Sequence, residues 1–148
     1  MGSEMCIRDS LNAHGVTYAG DRSTGDIYTL DRDVFTHNGS AVRRVAQTLF
    51  PVEDRRPEIS NLTVELQSGI GLVTGQGSDP QVMLRYSTNG RTWSNEVTRS
   101  FGKIGEFDHR TLFGSLGRFH PPAGMIEIAV SDPVAATVTG LYANRGRP

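Results

Sequence analysis

Asp79–Ser94 reads DPQVMLRYSTNGRTWS, and this stretch carries the strongest local signal in the chain. Val82, Leu84 and Tyr86 alternate with Met83, Arg85 and Ser87, which is the period of a strand with one covered face. Asn89-Gly90 can hold both central residues of a two-residue turn at positive φ, so the pattern predicts a hairpin closed by a type I′ turn, its second strand starting at Arg91. Trp93, the sole tryptophan, follows the turn. Its ring is expected to cover the hairpin as a core anchor, so that truncation to alanine would cost about 3–5 kcal/mol.

Outward from this hairpin the chain continues in short strands. Gly15 to Asp31, GVTYAGDRSTGDIYTLD, reads as two apolar runs around a Gly/Ser/Asp turn, hence a second hairpin. Ala41 to Phe50 reads as a strand ended by Pro51, and the charged stretch between Pro51 and Pro57 as an exposed connection. Ile59, Leu62, Val64 and Leu66 mark a half-buried strand, with a glycine-punctuated continuation from Gly69 to Gly77. Val97 to Phe101, Thr111 to Phe119, Met125 to Val130 and Val134 to Leu141 supply the remaining apolar runs. Glycine, proline and β-branched residues interrupt every candidate helix. The expected fold is all-β: an antiparallel β-sandwich-like domain preceded by a remnant of a β-propeller blade. Its shared core is drawn from Leu62, Val64, Leu66, Val82, Leu84, Trp93, Ile126, Ile128 and Val130.

At 148 residues the chain can bury one ordinary core. The opening decapeptide, which includes the string MCIRDS, has no periodicity and resembles translated adapter or cloning residue, so 1–14 is expected to be a non-native or disordered leader. Residues 15–40 form a hairpin and linker, a candidate last propeller blade; 41–143 form the antiparallel domain, and 144–148 a fraying basic tail. A net charge of -1 offers no global field for nucleic acid, and sequence-specific nucleic-acid binding is not expected. No apolar run is long enough to cross a bilayer and no signal-peptide pattern is present, so no membrane partner is expected and synthesis in the cytoplasm is the simplest reading. The single cysteine, Cys6, leaves no internal disulfide and no zinc motif.

Three places invite chemistry. Asp31–Ser40 contains acids, His37 and Asn38, but lacks calcium-loop spacing and reads as a polar linker ending in the Asn38-Gly39 turn. The glycines from Gly69 to Gly77 resemble a phosphate cradle, yet no Gly-Lys-Ser/Thr follows and no helix opens after them. Glu106, Asp108 and His109 bring two carboxylates and an imidazole together in sequence, but neighbouring strand residues point to opposite faces. No catalytic, cofactor-binding or metal residue is therefore assigned, and no enzyme activity is expected.

Ser87-Thr88-Asn89-Gly90-Arg91-Thr92-Trp93 resembles the Asp-box turn of sialidase-type propellers, with asparagine for the aspartate and one residue fewer before the glycine. In those families the box is a structural turn, which marks Asn89, Gly90 and Trp93 as turn and core residues. A longer run resembles the packaged-DNA stabilisation proteins of short-tailed phages, also called tail accessory or head-to-tail connector proteins. It comprises Ser68-Gly69-Ile70-Gly71-Leu72, Leu84-Arg85-Tyr86-Ser87, Arg91-Thr92-Trp93-Ser94-Asn95-Glu96, Gly102-Lys103-Ile104-Gly105-Glu106-Phe107 and Val130-Ser131-Asp132-Pro133-Val134. The resemblance, over roughly residues 26 to 140, implies a virion protein at the portal and tail vertex, assembled in the host cytoplasm. It implies a homo-oligomeric ring that contacts portal or adaptor and tail proteins, bridges head and tail and helps retain packaged DNA. Contact loops are expected at Gly102 to Arg110 and Arg118 to Gly124, with Lys103, Glu106, Phe107, Asp108, His109, Arg118 and Phe119 as interface residues. The alternative is a sialidase-like or carbohydrate-binding β-module, which requires an exposed Trp93.

Overall fold

The computed structural model describes residues 7–52 and 57–145, and among them every regular element is a β-strand. The chain separates into two units, Met1–Val34 and Phe35–Pro148.

In the first unit β1 (Ile7–Ala13), β2 (Val16–Asp21) and β3 (Ile27–Leu30) form an antiparallel sheet in the order β1-β2-β3. His14 and Gly15 join β1 to β2 with φ of 53° and 79°, the double positive that a tight hairpin requires. The turn into β3 is held by Asp21, whose Oδ1 accepts from the Ser23 backbone N–H at 2.8 Å and the Ser23 hydroxyl at 2.7 Å. Those bonds favour the ionised form and hold the Asp21 carboxyl below its ordinary range. The expected hairpin is thus present as β2 and β3. The leader expected over 1–14 is instead a strand and turn from Ile7 onward, because pairing with β2 gives its backbone groups partners. Cys6 and the residues before it lie outside the described residues.

The second unit opens with the small ladder of β4 (Thr36–His37) and β5 (Ser40–Ala41), turned by Asn38 and Gly39 at φ 47° and 78°. Seven strands then build two sheets: β6 (Arg44–Pro51), β7 (Glu58–Leu66), β8 (Gln81–Ser87), β9 (Val97–Ser100), β10 (Thr111–Arg118), β11 (Ala123–Val130) and β12 (Val138–Arg145). One sheet runs β6-β11-β8-β9 and the other β10-β7-β12, both antiparallel. Their facing side chains make one apolar core, with Val64 and Val82 fully buried and Phe101, Phe113 and Phe119 supplying the largest volumes. This is a β-sandwich, each sheet burying the face that alternation supplies.

Several expectations change. Gly90 has φ of 72°, but Asn89 is not at positive φ, so the turn is not type I′, and the strand opposite β8 begins at Val97 rather than Arg91. Trp93 is only half-buried and absent from the core, whereas the other eight expected core residues are buried. The 69–77 stretch forms no strand; Gly69, Gly75 and Gly77 have φ between 77° and 95° and turn the chain repeatedly. The last strand starts at Val138, while Val134 is a buried plug ahead of it. Asn144 and Arg145 belong to that strand, opposite Asn61 and Ile59, instead of fraying.

Candidate assembly surface

The loop from Phe101 to Arg110 crosses from β9 to β10, and thus from one sheet to the other. Its root is fixed: Phe101 is buried, and the Ser100 carbonyl accepts from Thr111 Oγ1 and lies 3.1 Å from His109 Nε2. Glu106 folds back so that its Oε2 accepts from the Lys103 backbone N–H at 2.9 Å, closing the tip on itself. The Ser68 hydroxyl donates to the Phe107 carbonyl at 2.7 Å, and Gly105 N–H to the Gly69 carbonyl at 3.2 Å, which docks the loop on the glycine segment. A Cβ on Gly69 would stand 2.5 Å from Phe107 Cδ1, so glycine is needed there to let the ring lie down. The outward side of Phe107 remains 73% exposed and Ile104 56% exposed. A self-braced loop with two large apolar side chains in solvent is the pattern of a contact loop on a rigid scaffold.

Of the residues expected at an interface, Phe107, Asp108 and His109 come together with Glu65, Ser68, Arg110 and Thr139 around an open polar cleft of about 510 Å³. Glu106 does not join them, since its carboxylate serves the Lys103 turn, and His109 Nε2 is engaged with a backbone carbonyl. Arg118 sits apart at the end of β10, 3.6 Å from Glu58 in an exposed ion pair worth little. Phe119, an expected interface residue, is fully buried and presents nothing to a partner. Its ring lies 5.0 Å from Phe50 and 6.1 Å from Tyr86, so the 118–124 loop is anchored through it rather than presenting it.

A further polar network, on the outer face of the four-stranded sheet, was not legible beforehand. Glu127 on β11 is only 2% exposed, although alternation places it outward. It stands opposite Gln47 on β6 and Arg85 on β8. Arg85 clamps it with two hydrogen bonds, Nε to Oε1 at 2.6 Å and Nη2 to Oε2 at 2.8 Å, and Gln47 Nε2 donates to Oε2. The Arg85 hydrogen bonds hold the Glu127 carboxyl below the ordinary glutamate range, against burial that pushes it up; the same pairing raises Arg85. Arg85 also stacks on Trp93, 4.9 Å from the ring centroid, and Arg43 pairs with Glu96 beside them. Opposite charges at cross-strand positions were the available signal, but register has to be known before it can be read.

Beside this network Asn89 organises the loop between β8 and β9. Its Oδ1 accepts from the backbone N–H groups of Arg91 at 2.8 Å and Thr92 at 2.9 Å, and from the Ser87 hydroxyl at 3.3 Å. With the Thr92 hydroxyl at 3.2 Å, the amide oxygen ties four donors of the loop to one point, and Gly90 supplies the positive φ. Trp93, half-buried, lies over Arg85 beside this node.

These features define a class: a two-sheet antiparallel β-sandwich with a braced, apolar-tipped loop and an outward polar clamp. The match is more specific than the class, because a family model described as bacteriophage P22 Gp10, beta-sandwich, matches residues 42–146. The chain belongs to that family, and with it to the structural proteins of phage virions. Comparison with curated proteins gives no match.

Proposed function

We propose that this protein works at the tail and portal vertex of the virion, where it bridges head and tail as a homo-oligomeric ring and helps retain packaged DNA. Its partners are portal or adaptor and tail proteins, and it turns over no substrate. The observation that carries this reading is the coincidence of the family match, residues 42–146, with the sandwich that presents the Phe101–Arg110 loop. A contact of modest strength repeated around a ring adds by multivalency, so a small loop suffices to seat a plug. Phe107 and Ile104 supply the apolar contact, while Lys103, Asp108 and Arg110 provide a charged rim.

The test is co-sedimentation of the intact protein with a purified portal or adaptor ring, beside a turnover assay on a sialoside. Binding that is weakened by Phe107→Ala, with no turnover, is the expected result. Turnover lost on Glu106→Gln or Asp108→Asn, with no ring binding, would overturn the reading in favour of a hydrolase.

A further inference from the structure

The two sides of the sandwich are finished differently. On one side the edge strands β9 and β10 are laced together by the Phe101–Arg110 loop and by Thr111 on the Ser100 carbonyl. On the other side β6 ends its sheet and β12 ends the other, and among the described residues no ladder joins them. Between them runs a seam with two openings. One, of about 280 Å³, is walled by Thr48, Phe50 and Leu141 over Leu62 and Ile126. The other, of about 110 Å³, is walled by Arg44, Ala46 and Val138 over Leu66 and Ile128.

The register explains why the openings line up. Thr48 pairs with Ile126, Ala46 with Ile128 and Arg44 with Val130, so these alternate β6 residues and Phe50 lie along one floor. From Arg44 to Phe50 the seam is about 20 Å long at roughly 3.3 Å per residue, which is the length of an ordinary strand. Between its terminal Arg44 and Pro51, the edge strand β6 has no charge or proline to protect it, and Val45 and Leu49 are 51% and 62% exposed. Arg44 is the one charged residue among the described residues lining the two openings. Its Nη2 donates to the Asp132 carbonyl at 2.7 Å and its guanidinium lies 5.0 Å from the Phe35 ring centroid, but its Nε is buried without a hydrogen-bond partner. A buried N–H on a cation thus lacks an acceptor at one end of a groove whose other described lining residues are uncharged.

We propose that β6 accepts an extended segment of another polypeptide as an added antiparallel strand, with alternate apolar side chains entering the seam and a carboxylate meeting Arg44. Strand addition of this kind takes affinity from main-chain hydrogen bonds and specificity from the alternate side chains. In antiparallel register a residue over Thr48 is followed four positions later by the residue over Arg44, so the segment reads apolar-x-apolar-x-apolar-x-acidic. The inference stands on the seam alone, and its failure would leave the assembly role intact.

The probe is the heptapeptide Leu-Thr-Leu-Thr-Val-Thr-Glu, titrated to millimolar concentration into the isotope-labelled intact protein and followed by amide chemical shifts. Saturable shifts confined to β6 and β12 are expected. The peptide ending in lysine instead of glutamate should bind about tenfold more weakly or worse, because like charges then oppose in a partly desolvated site. Ala46→Arg, at an exposed position, should abolish the shifts and leave the rest of the spectrum in place. Absence of saturable shifts, equal binding of the lysine peptide, or shifts centred elsewhere would overturn the proposal. So would a protein that is already dimeric and becomes monomeric on Ala46→Arg, since that outcome assigns the edge to a second copy.

Discussion

Gly124→Ala adds a single methyl group where the structure has no room for one. Gly124 lies opposite Phe50 in the ladder, and a Cβ there would overlap Phe50 Cζ and stand 2.5 Å from Phe119 Cδ1. Carbon contacts settle near 3.5–4.0 Å, so both rings must retreat by about 1 Å. Phe50 borders the seam and can turn into it, but Phe119 is fully buried and cannot. Overpacking costs about 1–3 kcal/mol. Losing the 5.0 Å tilted contact between the rings adds about 0.5–1.5 kcal/mol. The lower unfolded-state entropy of alanine returns about 0.4–1 kcal/mol, because Gly124 is not at positive φ. The net expectation is a destabilisation of about 0.5–4 kcal/mol, centred near 2, hence a Tm lower by roughly 2–25 °C in a domain of this size. Thermal melts followed by circular dichroism, with urea midpoints at constant slope, measure it. Phe50→Leu in the same chain should recover part of the loss. A Tm for Gly124→Ala equal to that of the parent would refute the packing argument.

Phe119→Ala should cost about 3–5 kcal/mol by urea denaturation, and Trp93→Ala clearly less, since only the first ring is fully buried. Gly90→Val should destabilise by about 1–2 kcal/mol through the φ of 72°, whereas Asn89→Asp keeps the acceptor oxygen and should leave the Tm nearly unchanged. Because the Glu127 carboxyl is held below its unfolded value, its contribution is complete above the ordinary glutamate pKa of about 4.3 and is lost as the pH falls through the folded value. Acid titration of stability should therefore flatten in Glu127→Gln below that pH; an unchanged slope would remove the clamp from the account.

Strands whose alternation is uninterrupted were legible from residues alone. Glu58–Leu66 and Ala123–Val130 follow their apolar pattern because each has one face on the core. The chain has two Asn-Gly pairs, and the tight turn formed at Asn38-Gly39, where strand residues flank it on both sides. At Asn89-Gly90 the side-chain amide captures the Arg91 and Thr92 N–H groups, so a local hydrogen-bond node displaced the hairpin turn that the dipeptide favours. Aromatic fate was not legible either. Trp93 and Phe119 both adjoin charged or polar loop residues, and which one is buried depends on Gly124 leaving space beneath Phe119, a contact between segments that no local pattern reveals. Glu127 was hidden for a similar reason: β11 is an inner strand of its sheet, so its outward row is covered by Arg85 and Gln47.

Val64 is opposite Thr111 on one side and Leu141 on the other, while the next sheet takes its strands from both before and after that residue. The central strand of the smaller sheet must therefore wait for two later passes of the chain, and every such pairing closes a long loop before it is rewarded. The expected kinetic consequence is slow refolding, in the millisecond-to-second range of sandwiches, which stopped-flow fluorescence would measure. The same waiting time sets the window in which newly made chains of this protein are most exposed to pairing with each other.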